Sequence, residues 1–122
     1  MADVLLVTTI SKEQECVTLI NTFFTNGRED QDKLIKILVD ATEEVMKYQP
    51  GFITANFHRS YDGSAVTNYA QWRSIEDWKA AMQKSEVQEH IKITMENYER
   101  KRALYQVVHI SHAADSVASD GV

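Results

Sequence analysis

The sequence predicts an α+β domain, a four-stranded antiparallel sheet with helices on one face, in the order β-α-β-β-α-β. Three observations predict it. Two-residue alternation marks strands at Cys16 to Phe24, on both sides of Asp62-Gly63, and at Leu104 to Ile110. Between the first two strands, Leu34, Leu38, Ala41 and Val45 recur at helical spacing. A second helical stretch, split in two, separates the third strand from the fourth.

In chain order, residues 1–14 read as an N-terminal extension, its apolar patch from Val4 to Val7 packing on the domain or on a partner subunit. The first strand sets Val17, Leu19, Asn21 and Phe23 on one face and Thr18, Ile20, Thr22 and Phe24 on the other. Asn26-Gly27 ends it, and Glu29, Asp30 and Asp32 suit the helix N-terminus that follows. Ile35, Val39 and Met46 widen the stripe of that helix, and Pro50-Gly51 stops it. Ser74-Ile75-Glu76-Asp77 is a capping-box-like start for a short helix with Trp78, Ala81 and Met82 on one face. Ser85 is placed to cap a second, carrying Val87, Ile91, Met95 and Tyr98. Glu99-Arg100-Lys101-Arg102 reads as a solvated helix end before the last strand. Residues 15–112 then form one domain, and 113–122, small and polar, a flexible C-terminal tail. This is the ferredoxin-like arrangement.

Composition narrows the function. The 122 residues suffice for one core and carry a formal charge of −5, so no electrostatic footprint for nucleic acid is present. One cysteine, Cys16, forbids an intrachain disulfide and makes a cysteine metal site implausible. His109 and His112 face opposite sides of an extended strand and cannot chelate one ion. No stretch reaches membrane-spanning length and no export signal opens the chain, so the expectation is a cytoplasmic protein without metal or membrane contact.

The hairpin from Phe52 to Arg73 carries the functional signal. A tight turn at Asp62-Gly63 pairs Ser60 with Ala65, Phe57 with Asn68 and Ile53 with Trp72. Ile53, Ala55, Phe57, Arg59, Val66, Asn68, Ala70 and Trp72 then share the helix-facing side. Asn68 stands among apolar neighbours, where an amide needs a partner, and Trp72 lies four residues on, with small Ala70 between. An amide, a gap and an indole suit a flat, largely apolar ligand with polar edges. Thr54, Asn56, His58, Thr67, Tyr69 and Gln71 share the other side, which suits a seam against the same sheet of a second subunit.

Gln49-Pro50-Gly51-Phe52, Ala55-Asn56-Phe57-His58, Ser60-Tyr61-Asp62-Gly63 and Asn68-Tyr69-Ala70-Gln71-Trp72 resemble the antibiotic biosynthesis monooxygenase family, most densely over 48–84. The resemblance implies a dimeric α/β barrel, a homodimer with a pocket between sheet and helices in each subunit. It also implies a cofactor-independent monooxygenase that uses O₂, without flavin, haem or metal, to oxidise a small aromatic polyphenol or anthrone to a quinone in polyketide or other secondary metabolism. The family's catalytic residues map onto Asn21, Asn68 and Trp72. Phe23, Trp78, His90 and Tyr98 are the candidate substrate-binding residues around them. Haem-degrading relatives of this fold carry a histidine ligand on the helix after the tryptophan, whereas here none follows Trp72 before His90. The competing readings are quinol oxidation on the same fold and a non-catalytic small-molecule-binding dimer.

Overall fold

The computed structural model describes residues 6–114, in the order β1 (Val17–Phe24), α1 (Arg28–Glu44), a 3₁₀ turn (Met46–Tyr48), β2 (Phe52–Arg59), β3 (Ala65–Trp72), α2 (Ile75–Gln83), α3 (Ser85–Asn97) and β4 (Arg100–Tyr105). The strands form one antiparallel sheet in the order β2-β3-β1-β4, the ferredoxin-like arrangement, and the three helices complete the fold. Val4 and Leu5 of the N-terminal patch, and residues 115–122 of the predicted tail, lie outside the described residues.

The β2-β3 hairpin is pinned at its tip from three directions. Gly63 adopts φ +81°, and a Cβ there would come within 2.9 Å of Gly27 Cα, so the turn must be backbone against backbone. The Gly27 N–H donates to Gly63 O at 2.9 Å. From α1, the fully buried Gln31 donates through Nε2 to Ser60 O and Ala65 O at 3.0 and 2.9 Å. Asp62 accepts from Ser64 Oγ, the Ser64 N–H and Ser60 Oγ, and these bonds lower its pKa to about 2.

Pairing along the hairpin sets Phe57 opposite Asn68 and Ala55 opposite Ala70, but the register shifts between Phe52 and Thr54. The expected Ile53–Trp72 pair is therefore replaced by Phe52–Trp72. Phe52 meets the indole edge-on, with ring centroids 5.4 Å apart, and Ile53 turns toward solvent. Trp72, 1% exposed, is the largest fully buried side chain among the described residues, and it centres a core cluster with Leu19, Ala70 and Ala81. A second cluster joins Phe23, Leu34, Leu38 and Val66 under α1.

The helices keep their predicted faces with shifted ends. Leu34, Leu38, Ala41 and Val45 are buried, while Val39 is exposed. Helix α1 stops at Glu44, and the 3₁₀ turn carries the chain to Pro50-Gly51. The Ser74 hydroxyl caps α2 by accepting from the Asp77 N–H at 3.0 Å. Ser85 is the first residue of α3 rather than its cap, and Tyr98 lies just past its end.

The last strand moves furthest from expectation. It begins at Arg100, not Leu104, so Glu99-Arg100-Lys101-Arg102 runs from loop into strand and is not a helix end. An edge strand tolerates such charge because one side of it meets solvent. Arg100, Arg102 and Leu104 pair with Phe23, Asn21 and Leu19, which puts two arginines on the side facing the helices.

On the opposite side of the sheet, residues 8–10 of the N-terminal extension cross β2 and β3. The Gln71 amide donates to Thr9 O at 2.8 Å and accepts from Thr54 Oγ1 at 3.0 Å. Thr8 Oγ1 donates to Asn56 Oδ1, and Asn56 Nδ2 donates in turn to Tyr69 O at 2.8 Å.

Candidate active site

Four strands contribute one residue each to a row across the inner face: Phe57, Asn68, Asn21 and Arg102. The next row is Ala55, Ala70, Leu19 and Leu104, small or aliphatic throughout. Side chains that reach the helices at the rims but stop short at Ala55 and Ala70 leave a hollow in the middle.

That hollow is a chamber of about 80 Å³ floored by the first row and by Ala55, Ala70 and Leu19 of the second. Leu38, Ala41 and Thr42 of α1, Met46, Trp78 and Met82 of α2, and Ile91, Thr94 and Met95 of α3 roof it, and Trp72 with Phe52 closes one end. Met82, Ile91, Met95 and Arg102 also border a wider outer chamber of about 560 Å³, along α3.

The polar groups of the inner chamber divide sharply. Thr42 and Thr94 spend their hydroxyls on the helix carbonyls of Leu38 and Ile91, at 2.8 and 2.7 Å. Asn68 Oδ1 accepts from the Asn56 N–H at 3.2 Å, which occupies one end of that amide. Asn21 Oδ1 and Trp78 Nε1 are buried and have no hydrogen-bond partner among the described residues. Buried polar atoms are nearly always paired, so an orphan acceptor and an orphan donor on one chamber point to a ligand that completes them. The Arg102 guanidinium stacks on the Trp78 ring, 5.3 Å from its centroid. Burial, and then the charge of Arg100, lowers its pKa.

Five of the seven residues expected from the sequence line this chamber: Asn21, Asn68, Trp72, Phe23 and Trp78. The other two do not. Tyr98 packs against the cluster of Phe23 and Leu34, and its hydroxyl donates to Asp30 at 3.2 Å. Burial first, and Asp30 second, raises its pKa. His90 is exposed on α3, with Nδ1 against Glu86 O and Nε2 3.8 Å from Glu44, because Val87, Ile91 and Thr94 take the inward side of that helix.

Sequence reasoning missed Arg100 and Arg102. The signal was present: Arg100, Arg102 and Leu104 continue the two-residue period backwards from the apolar part of the strand.

No carboxylate, imidazole, phenol or thiol lines the inner chamber among the described residues. Nor does any group of three or more His, Cys, Asp or Glu stand where it could hold a metal ion. No helix among them is long and apolar enough to cross a membrane.

Comparison with known proteins adds three kinds of likeness. The profile of the antibiotic biosynthesis monooxygenase family matches residues 17–93. Tetracenomycin-F1 monooxygenase of Streptomyces glaucescens is 43% identical over 82 residues, which are 67% of this chain and 72% of that protein. Among solved structures, an anthrone oxidase-like protein superposes with a TM-score of 0.72 at 26% identity, over 82% of this chain and 42% of that one. SnoaB, a cofactor-independent oxygenase from Streptomyces nogalater, gives 0.68 at 18% identity, over 79% and 96%, a likeness of fold.

Proposed function

The chain belongs to the antibiotic biosynthesis monooxygenase family, and on that premise we propose that it oxidises an anthrone-like polyphenol of a polyketide pathway to a quinone with O₂ and no bound cofactor. One observation carries the reading. The inner chamber offers unpartnered hydrogen-bonding atoms, Asn21 Oδ1 and Trp78 Nε1, inside a mostly apolar shell where, among the described residues, no carboxylate, imidazole, phenol or thiol stands.

Such a chamber acts by favouring an anion. The CH₂ of an anthrone is acidic because the resulting carbanion is a phenolate in its other resonance form. N–H donors stabilise that oxyanion when it is held out of water. The proton leaves to solvent, since no lining side chain is built to take it. The anion then gives one electron to O₂, and the two radicals combine to a peroxide. Protonation and loss of water leave a carbonyl: R₂CH₂ + O₂ gives R₂C=O + H₂O, with one oxygen atom in the quinone and the other in water. In this scheme Asn68 and Trp78 donate to the substrate oxygens, Asn21 accepts from a phenolic hydroxyl, and Trp72 and Phe23 hold the ring plane.

The homodimer belongs to the same proposal. Phe24 and Tyr105, each 50% exposed, lie on the outer side of β1 and β4 beside the strip covered by residues 8–10, and they suit a second copy of the sheet.

Oxygen uptake by metal-free protein, with a panel of anthrones and hydroquinones, tests the activity. One O₂ consumed per anthrone, with one ¹⁸O atom recovered in the quinone, is the expected result. Uptake no greater than background, or full activity retained in both Trp72→Phe and Asn68→Ala, overturns it. Tight binding without uptake would make the protein a carrier, and uptake with hydroquinones alone would make it a quinol oxidase.

A further inference from the structure

The chain has five arginines, and their partners separate them into two groups. Arg28, Arg59 and Arg73 each hold an aspartate, at 3.3, 2.6 and 2.7 Å. Arg100 and Arg102 hold no carboxylate among the described residues, although acidic side chains outnumber basic ones in the sequence by 18 to 13. They stand two residues apart on one strand, both lining the inner chamber, and the like charges at that spacing disfavour each other. An anion between or beside them would relieve that repulsion.

The dimensions say where the anion sits. A cavity of about 150 Å³ is known to take one benzene ring, so the inner chamber, at about 80 Å³, has no room for a fused ring system in this conformation. Any larger ligand must extend past Met82, Ile91 and Met95 into the outer chamber. Methionines repack readily, so that partition can yield. Arg102 borders both spaces and is fixed over Trp78 at their junction.

We propose that Arg102, with Arg100 beside it, anchors a carboxylate of the substrate, so that the ligand of this site is an aromatic acid bound ring-first. The reacting ring enters the inner chamber toward Asn21, Asn68 and Trp72, and the carboxylate remains at the junction, bonded in bidentate fashion to the guanidinium. The proposal rests on the oxygenase reading only for what then happens to the ring.

Anthraquinone-2-carboxylate and its methyl ester test it without turnover. Both tryptophans of the chain, Trp72 and Trp78, line the chamber, so quenching of their fluorescence reports binding directly. The native protein is expected to bind the acid about tenfold or more tighter than the ester, the difference a charge-assisted pair makes. Arg102→Gln should erase that margin while leaving ester affinity within about twofold, and Arg102→Lys should keep part of it. Equal binding of acid and ester by the native protein overturns the proposal, as does an equal loss of both in Arg102→Gln, which would mean packing alone. A charge preference without O₂ uptake on any anthrone keeps the anchor and removes the oxygenase reading. Uptake with acid and ester equivalent does the reverse.

Discussion

The two faces of this sheet carry similar polar residues and treat them in opposite ways. On the outer face the amides and threonine hydroxyls of the β2-β3 strip are paired: Thr67 bonds Thr22 of β1 at 2.9 Å, Thr54 bonds Gln71, and Asn56 joins Thr8, Thr54 and the Tyr69 carbonyl. Gln71, only 2% exposed, uses both ends of its amide. On the inner side Asn21 of the sheet and Trp78 of α2 each keep a buried atom without a partner, and Arg100 and Arg102 have no acid, among the described residues. A satisfied polar network specifies structure, while an unsatisfied one holds binding capacity in reserve at some cost in stability. The amide at Gln71 and the amide at Asn21 therefore have different duties, though they sit on adjacent strands.

The sharpest way to break this contrast is Asn21→Leu. Removing an orphaned amide from an apolar chamber should leave stability unchanged or raise it by about 1 kcal/mol. The same change should lower kcat/KM for anthrone oxidation by about 10–10²-fold, because the substrate hydroxyl is left without its acceptor in a buried site, a loss of about 1–3 kcal/mol. Denaturant unfolding and oxygen uptake on one preparation check both halves. A stability loss above 2 kcal/mol would put Asn21 with the structural amides.

Gln71→Leu should behave in the opposite sense. It strands Thr9 O and Thr54 Oγ1 on the outer face, at a cost of about 1–3 kcal/mol. Hydrogen exchange of residues 8–10 should rise, while kcat/KM per folded molecule stays near native. An activity loss without loss of stability would mean that the outer face shapes the chamber.

The smallest effect belongs to Asp62, which fixes the hairpin register that keeps the two faces apart. Its folded pKa of about 2 lies below the ordinary value of 3.8, with Ser64 as the main cause and Ser60 next. A depressed carboxylate contributes stability above its unfolded pKa and loses it as pH falls through the folded one. The native protein should therefore exceed Asp62→Ala in stability at pH 7, and the margin should close between about pH 4 and pH 2. A margin that persists at pH 2 would assign the effect to the loop backbone instead.

Much of this architecture is legible in the sequence because its signals are local. The alternation of β1, the stripe of α1, Ser74 as a cap and Gly63 as a turn each act within a few residues, and each stands where expected. Strand parity puts Asn21, Asn68 and Trp72 on the helix-facing side, and the structure places all three on the chamber, whereas their selection as catalytic residues came from the family resemblance. What failed depended on partners distant in sequence. A bulge moved Phe52 inward because it stacks on Trp72, which no local pattern reports. Charge hid the start of β4, since an arginine paired across β1 looks like a solvated one until its neighbour is known. His90 missed the chamber by one position on α3, because Val87 and Ile91 set the inward side.

The row Phe57, Asn68, Asn21 and Arg102 draws on all four strands, and its members are adjacent in space in an order unrelated to their order along the chain. No fragment of the chain holds even two neighbouring strands of that row without a long closure between or beside them, except the β2-β3 hairpin. Closing such non-local pairings is the slow step for sheets of this kind. Activity is thus tied to cooperative folding: an opening that frees β4 removes Arg102 from the row, and one that frees β1 removes Asn21 together with the core residues Leu19 and Phe23.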